Sequence, residues 1–285
     1  PVDTNGMVSA VDLTKAIDGN TALVSVMHAN NEIGTIQPIT ELAEIAHKHG
    51  ALFHTDAIQS IGKIPVNVKT LGPDLLSLSA HKYNGPKGVG ALWLKRGIRL
   101  STVQTGGRHE RNRRAGTENV PGLVGLGVAS ALAQGKLAES KHEFSALRDL
   151  LEEGILQKIS DTAINGQQDQ RVPNTSNISF AGVEAESLLI ALDLEGVAVS
   201  TGSACSSGTL EPSHVLRAMG LPSNRVQSSI RFSLGTGNTQ SDVDHLVNIL
   251  PAIVGRLRAL SSSSLRMDRN RRPTESDSSA SRGNR

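Results

Sequence analysis

SAHKYNGPKGVG occupies residues 79–90 and directly follows the apolar run Leu75-Leu76-Ser77-Leu78. Within it, Lys82 ends a predicted buried strand, follows Ser79 and His81, and precedes a glycine-rich loop. Lysine is rarely buried without a partner, and a desolvated lysine can form a Schiff base with an aldehyde. A nucleotide-binding P-loop is not indicated, because the GxxxxGK[ST] pattern is absent. We therefore predict a buried, reactive Lys82, with an ordinary surface lysine as the alternative.

Strand-like and helix-like segments alternate on both sides of this stretch. The predicted strands before the long helix cover residues 21–29, 51–56, 74–79 and 89–94. A helix is predicted at residues 38–49, with proline near its start and glycine after its end. Short strands separated by helices predict an α/β fold with a mostly parallel sheet covered on both faces.

A second group of segments follows a long helical pattern over residues 121–159. The predicted elements there are strands at residues 174–181, 197–201 and 228–234 and helices at residues 184–194, 212–219 and 241–260. We therefore divide the chain into a large domain over residues 1–140 and a smaller α/β domain over residues 141–260. Residues 261–285 are rich in serine and arginine with few large apolar side chains, which predicts a disordered tail.

The composition narrows the class of protein. The chain has 285 residues, a formal net charge of +2 and one cysteine, Cys205, which excludes an intrachain disulfide framework. No apolar run approaches the length of a membrane-spanning helix and no signal peptide is visible, so we predict a cytoplasmic protein. The chain begins with Pro1 rather than methionine, which suggests processing or a fragment.

Polar side chains follow three successive predicted strands. Asn31 and Asp56 follow the first two, and Ser79 and His81 follow the third. In an open α/β sheet, ligands bind outside the carboxyl ends of the strands. If the ligand is pyridoxal phosphate (PLP), Asp56 can pair with the pyridinium nitrogen, and Gln59 can hydrogen-bond the phenolic oxygen. The alternatives are a turn with Asx chemistry for residues 30–34 and a helix N-cap for Asp56.

Two further residues stand out in the second half of the chain. Cys205 lies in a loop rich in glycine and serine, where a thiol is accessible, although an unreactive loop cysteine remains the alternative. Arg231 is the central residue of an apolar strand, where a guanidinium matches a carboxylate, with an internal ion pair as the alternative. His47, His49 and His54 could suggest a metal site. Their positions at a helix end favour an interaction with the helix dipole instead.

Six motifs together resemble those of the cysteine desulfurases, PLP enzymes of the class V aminotransferase group. They are NNEIG (30–34), HTDAIQS (54–60), SAHKYNGPKGVGAL (79–92), GGRHERNRRAGTEN (106–119), STGSACSSGTLEPSHVL (200–216) and SSIRFSLG (228–235). The form of the SACSSG loop resembles the branch that serves iron–sulfur cluster assembly. The resemblance implies the PLP-dependent transferase fold, fold type I and aspartate aminotransferase-like, with a smaller C-terminal α/β domain.

The resemblance also implies a role for each matching residue. These are ring contacts for Asn31, Asp56 and Gln59, phosphate contacts for Ser79 and His81, Schiff-base formation for Lys82, a persulfide on Cys205, and substrate binding by Asn31 and Arg231. Thr117 would contact the phosphate in the neighbouring subunit, which implies a homodimer with shared sites. In the family, a further phosphate loop and a stacking histidine precede the position of Pro1, so we expect the N-terminal part of the large domain to be absent.

The function implied is conversion of L-cysteine to L-alanine, with the sulfur left on Cys205. That sulfur would supply iron–sulfur cluster assembly or tRNA thiolation through a scaffold or sulfur-acceptor protein. No metal, membrane or nucleic-acid partner is predicted. Two alternatives remain open, a selenocysteine lyase and a truncated, non-catalytic remnant that binds a partner through the loop at residues 108–119.

Overall fold

The structure is a computed structural model that describes residues 1–201 and 212–270, the last part from residue 262 as backbone. The elements in chain order are α1 (Ala10–Ala16), β1 (Leu23–Met27), α2 (Ile39–Lys48), β2 (Leu52–Asp56), α3 (Val68–Leu71), β3 (Leu75–Ser79), β4 (Gly90–Leu94), α4 (Val120–Lys158), β5 (Thr162–Ile164), β6 (Thr175–Phe180), α5 (Ala185–Leu194), α6 (His214–Ala218), α7 (Ser223–Gln227), β7 (Ser229–Ser233) and α8 (Gln240–Asn270). Short 3₁₀ turns lie at Ala80–Tyr83 and Glu110–Asn112.

The first sheet has the strand order β1-β2-β3-β4. Strands β1, β2 and β3 are parallel, whereas β4 returns antiparallel to β3. The prediction of a mostly parallel sheet is confirmed. Because the first three strands run in one direction, Met27, Asp56 and Ser79 end at the same edge of the sheet.

Helices α1 and α2 cover one face of this sheet. Phe53 of β2 is fully buried against an apolar cluster that includes Leu42 and Ala46 of α2 and Val24 of β1. The alternation of strand side chains places Ser25, His54 and Ser77 on the opposite face. His54 Nδ1 is 2.7 Å from Ser25 Oγ, and its Nε2 is 2.9 Å from Ser77 Oγ, so one imidazole joins three strands.

The second sheet is antiparallel, with the order β5-β6-β7. Its core combines Phe180 and Ile230 from the sheet with Leu151 of α4, Leu188 of α5 and Leu250 of α8. These apolar side chains are therefore buried between one sheet and three helices. The proposed domain boundary at residue 140 falls inside the continuous helix α4, and the division stays a prediction.

Helix α4 has large apolar side chains on its exposed surface. Val124, Val128 and Leu132 are each more than half exposed. In length and apolar composition the helix is sufficient to cross a membrane, and the predicted absence of a membrane-spanning helix stays a prediction. Core helices of soluble proteins have the same length and composition, so this property by itself is weak support for a membrane segment.

Two predictions from local pattern were wrong, and four short elements were not predicted. Residues 197–201 form no strand, and only an isolated bridge joins Ser200 to Arg231. Helix α8 continues to Asn270, beyond the predicted start of the tail, and residues 271–285 lie outside the described part of the chain. The short elements α1, α3, β5 and α7 were not predicted, because segments of three to seven residues carry too few positions to establish a period.

Candidate active site at the carboxyl edge of the first sheet

The predicted polar strand ends do lie together at this edge. Asp56 is the last residue of β2 and pairs in register with Ser77 of β3, so Ser79 lies two residues further along the neighbouring strand. The carboxylate of Asp56 accepts a hydrogen bond from the backbone N–H of Ile58 through Oδ1 at 2.8 Å. This contact orients the Asp56 side chain and leaves its second oxygen available for a cationic partner.

Lys82 lies just beyond β3 in the 3₁₀ turn Ala80–Tyr83. The turn ends at Asn84, whose φ of 65° is left-handed, and its backbone N–H bonds the carbonyl of Ala80. The Lys82 side chain is exposed, so the prediction of a buried lysine was wrong, since the turn carries it past the covered part of the strand. Within residues 1–201 and 212–270 its ammonium has no hydrogen-bond or ion-pair partner, which leaves it available as a nucleophile or cation.

Ser79 and His81 face the same way, as their spacing predicts. Ser79 Oγ and His81 Nδ1 are 2.8 Å apart. A hydroxyl and an imidazole at this separation form a small polar surface beside Lys82. Hydroxyl and imidazole N–H groups are suitable donors to phosphate oxygens.

Arg231 of β7 reaches across from the second sheet to this edge. Its Nη1 donates to the backbone carbonyl of Asn31 at 3.0 Å, a contact between residues 200 positions apart. Its Nε is buried and has no hydrogen-bond partner among the described residues. A buried guanidinium N–H without a partner is costly, so this donor fits an anionic ligand such as a carboxylate. In the described part of the chain no carboxylate pairs with Arg231, so the alternative of an internal ion pair is not supported.

A second lysine at this site, Lys63, was missed from the sequence. It is 9% exposed, and its Nζ donates to Gln59 Oε1 at 2.8 Å. Burial, reinforced by the positive charges of Lys82 and Arg231, lowers the pKa of Lys63 to about 8. The available signal was its place four residues after Gln59, within the apolar sequence Ile61-Gly62-Lys63-Ile64.

Two buried residues beside β1 were also missed. His28 is 4% exposed, and burial lowers the pKa of its imidazole to about 4. Glu32 is 2% exposed and accepts a hydrogen bond from Ser213 Oγ at 2.5 Å. The side-chain oxygen of Asn30 accepts a hydrogen bond from the backbone N–H of Glu32. The NNEIG segment therefore forms the Asx turn that was considered from sequence.

Thr117 and Cys205 stay predictions. Thr117 is exposed, in the loop before α4, and no contact in the described part of the chain joins it to Ser79 or His81. Cys205 lies outside the described residues. His47 contacts Asp74 at 2.7 Å and His49 contacts the carbonyl of Ile45, so these two histidines bind neighbours at the end of α2.

The fold and the strand-end residues define an α/β domain with polar side chains gathered at the carboxyl edge of its first sheet. The family model for class V aminotransferases matches residues 1–246, and the chain belongs to this family. Among curated proteins, it is 52% identical to the cysteine desulfurase IscS of Methanosarcina thermophila over 92% of this chain.

Solved structures agree with this assignment. A NifS-like protein is 37% identical and superposes with a TM-score of 0.83 over 90% of this chain. The NifS-like protein of Rickettsia africae is 34% identical, with a TM-score of 0.81 over 88% of this chain. The chain spans 64% of the length of the Methanosarcina desulfurase and 67% and 68% of the two NifS-like chains.

Class V aminotransferases and cysteine desulfurases are in general PLP-dependent. The residues present here fit the groups of that cofactor. Lys82 supplies a free ammonium, Asp56 a carboxylate with one oxygen available, and Ser79 with His81 a polar surface for the phosphate. The unpartnered Nε of Arg231 fits the carboxylate of an amino acid substrate.

Proposed function

We propose that this chain carries the cofactor and substrate residues of a PLP-dependent cysteine desulfurase that converts L-cysteine to L-alanine. The observation that supports it most directly is the approach of Arg231, with a buried free donor, to the edge that holds Asp56 and Lys82. The identity to cysteine desulfurases over most of the chain supports the same substrate.

Each residue would perform one task in this reaction. When bound, PLP supplies an electron sink for charge that develops at the substrate α-carbon. Lys82 holds the cofactor covalently, and Asp56 keeps the proton on the ring nitrogen. Arg231 binds the substrate carboxylate and Asn31 orients the substrate beside the ring. The thiolate of Cys205 would accept the substrate sulfur, forming a persulfide as the carbon–sulfur bond of cysteine breaks.

The partners follow from the same proposal. A persulfide on Cys205 would be delivered to an iron–sulfur scaffold or another sulfur acceptor, or used for tRNA thiolation. The exposed position of Thr117, away from Ser79 and His81, is consistent with contact to the phosphate of a second subunit in a homodimer. The protein would act in the cytoplasm, where thiols stay reduced.

Cofactor attachment provides the decisive test. The 285-residue chain is titrated with PLP, reduced with borohydride and digested, and the modified lysine is identified by mass spectrometry. We expect the label on Lys82 and its loss in Lys82→Ala. Lys87→Ala, in the same exposed loop, is the matched control and retains the label. Labelling of wild type spread evenly over surface lysines contradicts the proposal.

Turnover is tested with the same preparations. Wild type incubated with L-cysteine is expected to release alanine and hold a persulfide, whereas Cys205→Ser binds PLP without forming one. Faster alanine release from L-selenocysteine than from L-cysteine points instead to a selenocysteine lyase. Failure of the wild type to take up PLP contradicts the proposal and favours a non-catalytic binding role.

A further inference from the structure

Lys63 is a buried cation whose position requires an explanation. Only 9% of the residue is exposed, and in residues 1–201 and 212–270 no carboxylate forms an ion pair with it. Its one hydrogen-bond partner there is the side-chain oxygen of Gln59. Lysine is almost never fully buried unless paired, and burying its charge is costly. A feature with this cost and no structural pairing points to a functional role.

Two further basic side chains lie near Lys63. Lys82 and Arg231 act on it electrostatically, and both, like burial, disfavour its charged form. Both side chains therefore repel the Lys63 ammonium, at the edge of the sheet where Asp56 and Ser79 also lie. An anionic ligand bound among them would relieve that repulsion.

The hydrogen bond between Lys63 and Gln59 has only one possible polarity. An ammonium group only donates, so the atom of Gln59 that it contacts must be the carbonyl Oε1. The amide Nε2 of Gln59, with its two N–H donors, is then the free end of the side chain. Within the described residues this nitrogen has no partner. Without Lys63 the amide would be free to rotate and present either end to a ligand.

We propose that Lys63 is a positioning residue, which binds the carbonyl of Gln59 and so directs the Gln59 amide N–H groups to the phenolic oxygen of the cofactor. This inference rests on the proposed function, because the ligand of Gln59 is taken to be PLP. Lys63 itself does not contact the reacting atoms. Its effect on the cofactor is transmitted through one amide.

The first test compares PLP binding in wild type, Lys63→Met and Lys63→Arg, using the visible absorbance of the protein–cofactor complex and borohydride trapping. We expect Lys63→Met to bind PLP roughly tenfold more weakly, the loss of about one hydrogen bond, and to shift the absorbance maximum. Lys63→Arg keeps a donor and is expected to restore both properties. Wild-type affinity and absorbance in Lys63→Met overturn the inference.

A double-mutant cycle separates positioning from a general structural effect. If Lys63 acts through Gln59, then Lys63→Met has no further effect on affinity or absorbance in a Gln59→Leu background. Additive effects of the two substitutions overturn the inference. Denaturant unfolding of the same variants shows whether a loss of binding accompanies a loss of folding.

The contact itself is measurable without the cofactor. Side-chain amide resonances of the ¹⁵N-labelled chain, with Gln59 assigned by its absence in Gln59→Leu, are compared between wild type and Lys63→Met. We expect the chemical shift of the Gln59 amide to change and those of the other side-chain amides to stay the same. An unchanged Gln59 chemical shift overturns the inference. Absence of PLP uptake by the wild type counts instead against the proposed function, so the two failures are distinguishable.

Discussion

At the scale of single residues, His28 makes the folded chain sensitive to acid. Its imidazole is buried, its Nδ1 has no partner among the described residues, and burial lowers its pKa from 6.5 to about 4. Between those two values the unfolded chain binds a proton that the folded chain does not. The contribution of His28 to stability is therefore present above pH 6.5 and is lost as the pH falls towards 4.

The substitution His28→Asn removes this titration. We expect the free energy of unfolding of wild type to fall by up to about 3 kcal/mol more than that of His28→Asn between pH 7 and pH 4. Urea unfolding followed by circular dichroism at each pH measures the difference. Parallel pH profiles for the two proteins contradict the prediction.

Replacing Lys63 with an apolar residue should stabilise the folded chain while it weakens cofactor binding. Its pKa is lowered from 10.5 to about 8, so below pH 8 the buried side chain is charged and its burial destabilises the folded state. We expect the free energy of unfolding of Lys63→Met at pH 7 to be roughly 1–3 kcal/mol higher than that of wild type. The advantage should shrink as the pH rises from 8 to 10.5, because folded wild type then loses the proton. Lys69→Met, on an exposed lysine, is the control and should change little.

At the scale of elements, the contact between α4 and α8 depends on a glycine. A Cβ added at Gly154 of α4 would lie 2.7 Å from Cγ1 of Val247 on α8, well inside van der Waals contact. We expect Gly154→Ala to destabilise the chain by about 1–3 kcal/mol, since a packed helix pair accommodates an extra methyl poorly. Thermal unfolding by circular dichroism measures the effect.

The same helix offers a matched control for this substitution. At Gly135 of α4 an added Cβ meets no atom within 4 Å. Gly135→Ala should therefore stabilise the chain by up to about 1 kcal/mol, because alanine has the higher helix propensity. Val247→Ala combined with Gly154→Ala should recover part of the loss. Equal effects at both glycines would show that helix propensity, and not packing, decides.

At the scale of the whole molecule, a buried ion pair helps to connect the two sheets. Arg171 binds Glu152 of α4 through two hydrogen bonds, of 2.5 and 2.6 Å, and both side chains are almost fully buried. The segment that contains Arg171 also bonds the turn after β1, since Ile36 N donates to Gln170 O and Val172 N to Gly34 O. Glu152 thus ties α4 to a segment that borders the first sheet.

Removing one partner leaves the other charge buried. We expect Glu152→Gln to lower the free energy of unfolding by about 3–5 kcal/mol. The comparison is Asp12→Asn, because Asp12 pairs with Lys15 at 3.6 Å and both side chains are exposed, by 40% and 73%, so its loss should cost under about 1 kcal/mol. Similar losses in both variants, measured by urea unfolding, contradict the prediction.

Much of the fold was predictable because its signals are local. Strands β2 and β3 and helices α2 and α5 differ from their predicted bounds by about one residue, as expected for apolar runs bounded by glycine and proline. Residues 197–201 were predicted as a strand and contain three β-branched residues, but their backbone forms an isolated bridge with Arg231 and no strand. Strand formation depends on a partner that local sequence does not specify.

The sequence by itself determined the family, the parallel strands and the polar residues that end them, because motif spacing and hydrophobic period are properties of neighbouring positions. Only the tertiary structure decided which of the two lysines is buried. Lys82 lies exposed on a turn past its strand, whereas Lys63 is enclosed and bound to Gln59. It also decided that Arg231 reaches Asn31, 200 positions away, with one donor still free. Desolvation and long-range contact arise from the packing of distant segments, which no local pattern encodes.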